Sequence, residues 1–277
     1  MIARFGQSVA SAGDVNGDGF DDVIVGAPQY DSGSRDEGLR LIYLGSAAGL
    51  AASPSWIVNG NQDDAYLGQS VATAGDVNGD GYADVLVGAY GWDDGQANEG
   101  RVFLYLGSAS GPDTLPDWSY TSDVANAYFG RSIATAGDVN GDGYDDVVIG
   151  AHLLTSGATS EGKAFLFLGG AAGLAPSPSW SVTGNQGGAQ LWISVATAGD
   201  VNGDGYADMI VGAPGINNGQ VSEGRVAVYL GSAAGPDTTA DWSFESNDPG
   251  AQLGWSVAPA GDLNGDGFAD VVVGAPL

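Results

Sequence analysis

Apolar residues occur in short runs separated by glycine, asparagine, aspartate and proline, as in GQSVATAG (68–75), ADVLVGA (83–89), GRVFLYLGS (100–108) and WSVTG (180–184). Runs of this length, rich in β-branched and aromatic residues and bounded by turn formers, predict β-strands. No segment offers a convincing amphipathic helix. The same runs return in the same order along the chain. The string DVNGDG starts at Asp14, Asp76, Asp138 and Asp200 and recurs as DLNGDG at Asp262, each 62 residues after the last. Trp56, Trp118, Trp180 and Trp242 keep the same interval at the far end of each unit.

Four full repeats follow, 1–62, 63–124, 125–186 and 187–248, with a partial fifth at 249–277. Four short strands per unit, repeated at a fixed period, are the pattern of a β-propeller blade, a four-stranded antiparallel sheet set radially. The predicted fold is therefore all-β: a single propeller domain over 1–277, with four complete blades and an inner half-blade. A sandwich needs no strict period, which argues against it. The tryptophan series is expected to be structural, packed at the outer strand of each sheet. Odd and even units also differ, since AGLAASPSW at Trp56 matches AGLAPSPSW at Trp180 while GPDTLPDW at Trp118 matches GPDTTADW at Trp242. The chain reads as a duplicated pair of units.

Each DxNxDGxxD segment places oxygen-bearing side chains at loop positions 1, 3, 5 and 9, with glycine at 6 for the turn and a backbone carbonyl at 7. That is the ligand spacing of a hard cation, and an all-oxygen set favours calcium. The expected ligands are Asp14, Asn16, Asp18, Asp22 and the carbonyl of Phe20. They recur as Asp76, Asn78, Asp80, Tyr82 and Asp84; as Asp138, Asn140, Asp142, Tyr144 and Asp146; as Asp200, Asn202, Asp204, Tyr206 and Asp208; and as Asp262, Asn264, Asp266, Phe268 and Asp270. About five Ca2+ sites are expected on this spacing. An EF-hand would carry a bidentate Glu at position 12, where the first loop has Val25. A metal-free Asx turn is the competing reading, but three carboxylates within nine residues repel unless a cation neutralises them.

Composition narrows the partners. With 34 acidic residues against 7 Lys and Arg, the formal charge is −27, so nucleic acid and anionic membranes are not expected to bind. Forty-eight glycines beside 43% hydrophobic residues indicate a turn-rich folded chain rather than a disordered one. The absence of cysteine removes disulfides, thiolate nucleophiles and thiolate metal sites. No apolar run approaches the roughly 20 residues of a membrane span. Residues Met1 to Arg4 lead straight into the folded pattern, so no signal peptide is expected within this sequence.

The acidic loops sit between two further signatures, Phe5-Gly6 before the first and Gly26-Ala27-Pro28 after it. On these the chain resembles the FG-GAP repeats of the integrin α-subunit propeller and related bacterial extracellular proteins. The signatures drift in later units, to Leu67-Gly68 with Gly88-Ala89-Tyr90, Phe129-Gly130 with Gly150-Ala151-His152, Leu191-Trp192 with Gly212-Ala213-Pro214, and Leu253-Gly254 with Gly274-Ala275-Pro276. The resemblance implies a calcium-binding propeller, and it implies ligand and partner contact on the face away from the calcium loops. It is specific for the fold and says much less about the ligand.

Strand parity points to the same face. If the acidic loop joins strands 1 and 2, the loops joining strands 2 and 3, and strand 4 to the next unit, lie at the opposite end. Tyr30, Tyr90, Trp92, His152 and Trp192 fall there or beside it. Duller roles compete: Trp192 and Trp255 as filler between blades, Trp92 as cover for its own loop. Glu37, Glu99, Glu161 and Glu223 recur at the end of each 2–3 loop, which suggests turn stabilisation, with Arg101 and Arg225 as candidate partners. No phosphate-cradling loop is present and His152 is the only histidine, so no enzyme is expected. The expected function is a calcium-stabilised interaction or adhesion module, extracellular or at the cell surface, where weak loops without the twelfth-position Glu suit millimolar calcium. A carbohydrate-binding propeller, suggested by Trp92 and Tyr30, and a structural or engineered scaffold or fragment with no ligand of its own stay open. The protein or glycan ligand is not specified by the sequence. The half-unit's open strand edge is an expected point of homo-oligomerisation.

Overall fold

The computed structural model describes residues 3–189 and 193–276. Each acidic loop joins the first two strands of an antiparallel sheet. The first sheet holds β1 (Ser8–Gly13), β2 (Asp22–Ala27), β3 (Leu39–Tyr43) and β4 (Trp56–Asn59). The second holds β5 (Ser70–Gly75), β6 (Asp84–Ala89), β7 (Arg101–Tyr105) and β8 (Trp118–Thr121). The third holds β9 (Ser132–Gly137), β10 (Asp146–Ala151), β11 (Lys163–Phe167) and β12 (Trp180–Thr183). The fourth holds β13 (Ser194–Gly199), β14 (Asp208–Ala213), β15 (Arg225–Tyr229) and β16 (Trp242–Glu245). A two-stranded sheet of β17 (Ser256–Gly261) and β18 (Asp270–Gly274) follows. Every sheet runs in sequence order, as propeller blades do, and the described residues contain no helix. The architecture is all-β, four sheets and a half on a 62-residue period.

The chain divides into two packed units, Met1–Ile133 with Gly170–Leu174, and Ala134–Gly169 with Ala175–Leu277. In the first, Ile24, Ile42, Trp56, Val87, Phe103 and Tyr105 form a core between the first two sheets. In the second, Val148, Leu166, Trp180, Met209, Val211 and Tyr229 do the same. Strands such as β6 and β10 are buried at every residue, which is why they read as continuous apolar runs rather than as alternating ones.

Two local devices shape each sheet. The first strand bulges just before the acidic loop, between Ser11 and Gly13, Thr73 and Gly75, Thr197 and Gly199, and Pro259 and Gly261. The glycine takes a left-handed φ, 71° at Gly13, that other residues adopt at a cost. At the other end the 2–3 loop closes on its own glutamate. Glu37 accepts the amides of Ser32 at 2.5 Å, Gly33 at 3.0 Å and Asn61 at 3.1 Å; Glu161 accepts Ser156 at 3.0 Å and Gly157 at 2.6 Å. These carboxylates stabilise turns, but not through the expected arginines. Arg101 pairs with Asp94 at 3.2 Å and Arg225 faces Glu245 at 3.9 Å, because each guanidinium emerges on a strand while the glutamate turns back into the loop.

The tryptophans divide by environment. Trp56 and Trp180 are 7% exposed, and their indole N–H groups donate to the carbonyls of Asp113 and Asp237 in the following sheets. Trp242 is 49% exposed and Trp255 46%, so neither fills a core; Trp242 stacks on Phe244 of its own strand.

Within each unit, successive sheets meet most closely at the signature glycines. A β-carbon on Gly26 would land on the carbonyl of Gly68, and one on Gly212 on that of Gly254. Ser8 Oγ donates to the same Gly68 carbonyl at 2.7 Å. Gly26→Ala is expected to lower unfolding free energy by about 1–3 kcal/mol through overpacking. Gly33→Ala, whose β-carbon would meet nothing within 4 Å, should stay within about 0.5 kcal/mol of wild type, as denaturant midpoints will read.

Candidate functional site

The acidic loops repeat one hydrogen-bond pattern. In the first, Asp14 Oδ1 accepts from the amides of Gly17 at 2.7 Å and Asp18 at 3.0 Å, and Oδ2 from Gly19 at 2.8 Å. Asn16 Oδ1 accepts from Asp18 N, and Asp18 Oδ1 from Phe20 N. Asp22, at position 9, is fully buried; its Oδ2 takes the Val15 amide at 3.0 Å and its Oδ1 the Gly45 amide at 2.7 Å. Asp84, Asp146 and Asp208 repeat this with Gly107, Gly169 and Gly231, each at 2.8 Å. Asp270 is half-buried and takes the Leu263 amide at 2.9 Å. The ninth residue therefore ties the loop to the far end of the third strand, a role its spacing alone does not reveal.

Among the described residues no three acidic or imidazole side chains form a ready-made metal cage. The donor chemistry nevertheless fits a hard cation: each loop offers carboxylate, carboxamide and carbonyl oxygens only, and an oxygen that accepts one amide keeps a second lone pair. Burial pushes Asp84 and Asp146 up to about 7, against the pull of two amides each, and the neighbouring acids Asp80 and Asp76, or Asp142 and Asp138, push the same way. Asp22 and Asp208 are raised by the same cause. A divalent cation would supply the positive charge these carboxylates lack. The loops also interlock: Ala83 N donates to Asp14 O at 3.0 Å, and Tyr82 packs over Gly17, with Ala207 on Asp138 and Tyr206 over Gly141 as the second unit's counterpart.

At the opposite end of the first unit lies a cavity of about 520 Å³ lined by Arg35, Asp36, Asp64, Tyr66, Tyr90, Asn98 and Tyr128. These come from the 2–3 loops and from the segments leading into β5 and β9. Tyr66 and Tyr90 stack at 5.1 Å and 9°, Tyr128 tilts onto Tyr90 at 5.6 Å, and the Arg131 guanidinium lies 5.8 Å from the Tyr90 ring. Arg35 forks onto Asp64, with Nε to Oδ1 at 3.0 Å. Tyr66 and Tyr128 hold left-handed φ values of 53°, fixed by amides that donate to Asp36 O and Asn98 O. Burial raises the Tyr66 and Tyr90 hydroxyls, which stay neutral hydrogen-bonding groups.

Of the predicted ligand-face residues only Tyr90 joins this cavity. Tyr30 stands exposed at the start of its loop. Trp92 turns edge-on to Phe103 at 5.3 Å, beneath Arg101. His152 belongs to the second unit, and Trp192 lies outside the described residues. Tyr66 and Tyr128 line the cavity without being among the residues the sequence predicts for this face. Their signal is a tyrosine two residues before Gly68 and Gly130, in Tyr-Leu-Gly and Tyr-Phe-Gly.

Segments 5–43, 67–105, 129–167, 191–229 and 253–277 match the FG-GAP repeat. Integrin alpha-5 of Xenopus laevis is 33% identical over 238 residues, 83% of this chain and 22% of that protein. Integrin alpha-V of Gallus gallus is 33% identical over 237 residues, 82% of this chain and 22% of that protein. The chain thus spans 22% of the length of each of these relatives. Among solved structures, the exotype rhamnogalacturonan lyase YesX aligns over 99% of this chain and 56% of its own, at 12% identity and a TM-score of 0.46, a likeness too low to bear on activity. No helix among the described residues is long and apolar enough to cross a membrane. With the repeat motif matched over more than half of its residues, the chain belongs to the FG-GAP repeat family and is distantly similar to integrin alpha subunits over most of its length.

Proposed function

We propose that this chain is a calcium-binding, non-catalytic interaction module, extracellular or at the cell surface, that recognises its ligand at the end of the sheets away from the acidic loops. The observation that carries the reading is the separation of two chemistries within the first unit. Oxygen-only loops with uncompensated buried carboxylates occupy one end, and a tyrosine-rich cavity bordered by Arg35, Asp36 and Asp64 occupies the other. Calcium would be held by the residues at positions 1, 3, 5 and 9 and the carbonyl at 7, and would supply the counter-charge for folding. Similarity to integrin alpha chains supports both the calcium and the extracellular setting.

Saturating calcium is expected to raise the melting temperature. At a free concentration 100-fold above Kd each site adds about 2.7 kcal/mol, and chelation should remove it; an unchanged melt in chelator would sink the reading. The pH dependence of the metal-free protein follows from the raised carboxylates. A folded pKa above the unfolded one means that the native state binds more protons, so metal-free stability should rise as pH falls from about 7. Calcium, which needs the ionised form, should protect less across the same window. Urea titrations at several pH values, with and without calcium, read both effects.

Recognition is tested on protein and glycan arrays in calcium. A ligand seated in the cavity should lose at least tenfold in affinity with Tyr90→Ala while the melt stays within a few degrees of wild type. Signal only on the glycan array would favour the carbohydrate-binding reading.

A second copy of the chain is the other proposed partner. Strands β2, β6, β10 and β14 each have two neighbours, whereas among the described residues β18 pairs with β17 alone, and Val272 on β18 and Trp242 beside Val271 are exposed. Light scattering in calcium should then give a multiple of 27.7 kDa, and a monomer at all concentrations would exclude self-association.

A further inference from the structure

Arg40, on β3, is a feature of the first unit that neither the repeat nor the acidic loops explain. It is 2% exposed. Its guanidinium carbon lies 4.3 Å from the Tyr105 ring centroid, 5.2 Å from Trp56 and 6.0 Å from Phe103, and Nη2 donates to the Tyr105 hydroxyl. Its Nε is enclosed with no acceptor, and no carboxylate pairs with it among the described residues. Burial lowers Arg40 to about 10, with only Tyr105 opposing, so the group is still a cation at neutral pH. The other units hold Val102, Ala164 and Val226 at this position, so the fold does not require arginine there.

A buried cation without a counter-charge, and an unpaired donor beside it, are both unfavourable, and aromatic faces offset only part of the cost. The missing element is an anion. Beside Arg40 lies a cavity of about 160 Å³, lined also by Asn61, Trp92, Tyr105, Leu115 and Pro116. Its volume suits a group of a few heavy atoms rather than a drug-sized ligand. The planar guanidinium matches a planar carboxylate, and the apolar walls suit a short aliphatic stem. Tyr105 adds a second donor, because the only hydrogen bond its hydroxyl makes among the described residues is the one it accepts from Arg40.

We propose that this cavity is a carboxylate-binding site, in which the Arg40 guanidinium and the Tyr105 hydroxyl hold either a small free monocarboxylate or the side chain of an aspartate or glutamate presented by a partner. The site is separate from the acidic loops and does not depend on the calcium reading. The test is calorimetric titration and thermal unfolding of the whole chain in calcium, at constant pH and ionic strength. The probes are acetate, its neutral isostere acetamide, and a capped Gly-Asp-Gly peptide. Wild type is expected to show saturable binding and a rising melt with acetate, with the peptide or with both, and none with acetamide. Arg40→Val, which installs the residue found in the second and fourth units, should fold and lose at least tenfold in affinity; Tyr105→Phe should weaken binding while keeping the ring. Acetate alone would identify a free acid as the source, and tenfold tighter binding of the peptide would identify a partner's side chain. No saturable response to either carboxylate, an equal response to acetamide, or an undiminished response in Arg40→Val would overturn the proposal.

Discussion

Successive sheets within each unit approach backbone to backbone, and this constraint organises the rest. Gly26 meets Gly68 and Gly212 meets Gly254 with no room for a β-carbon. At that separation a hydroxyl on one sheet reaches a carbonyl on the next, as Ser8 does to Gly68. The same spacing lets Trp56 and Trp180 each bridge to a carbonyl of the following sheet. The phenylalanine-glycine and glycine-alanine-proline signatures are thus two halves of one contact between neighbours, which explains why the glycines persist where the flanking residues drift, in every repeat except the fourth, whose first signature reads Leu191-Trp192.

The acidic loops extend that contact to one end of the sheets. Each loop is pinned from below by the aspartate at position 9, whose two oxygens take amides from its own loop and, in the four complete sheets, from the end of the third strand. Neighbouring loops are then linked through a backbone bond and an aromatic ring laid over a glycine. Carboxylates are thereby drawn into a low-dielectric place without a basic partner, which raises the proton affinity of Asp84 and Asp146. A loop built in this way couples folding to whatever neutralises it, proton or metal.

Function requires asymmetry, and the repeat supplies it by substitution on a fixed frame. The three clustered tyrosines of the first unit, two stacked and one tilted, arise where three separate segments each contribute one ring. Arg40 replaces an apolar residue in one unit alone and creates a charge that its sheet does not need. Neither feature disturbs strand pairing, because both sit on side chains while the backbone bonds of the frame repeat unchanged.

The sequence by itself determined the strands, their order within each sheet, the 62-residue period and the position of every acidic loop. Those are consequences of local chemistry: apolar runs between turn formers, and glycines where the backbone must turn left-handed. The face opposite the acidic loops also followed from antiparallel parity. What only the tertiary structure decided were contacts between residues far apart in the chain. The second amide on Asp22 comes from Gly45, the partners of Tyr90 are Tyr66 and Tyr128, and the exposure of Trp242 depends on what the neighbouring sheet provides. Arg40 reads in the sequence as one more strand residue; it becomes an unpaired buried charge only when the second sheet closes over it, because desolvation is a property of the packed interior and not of the residue.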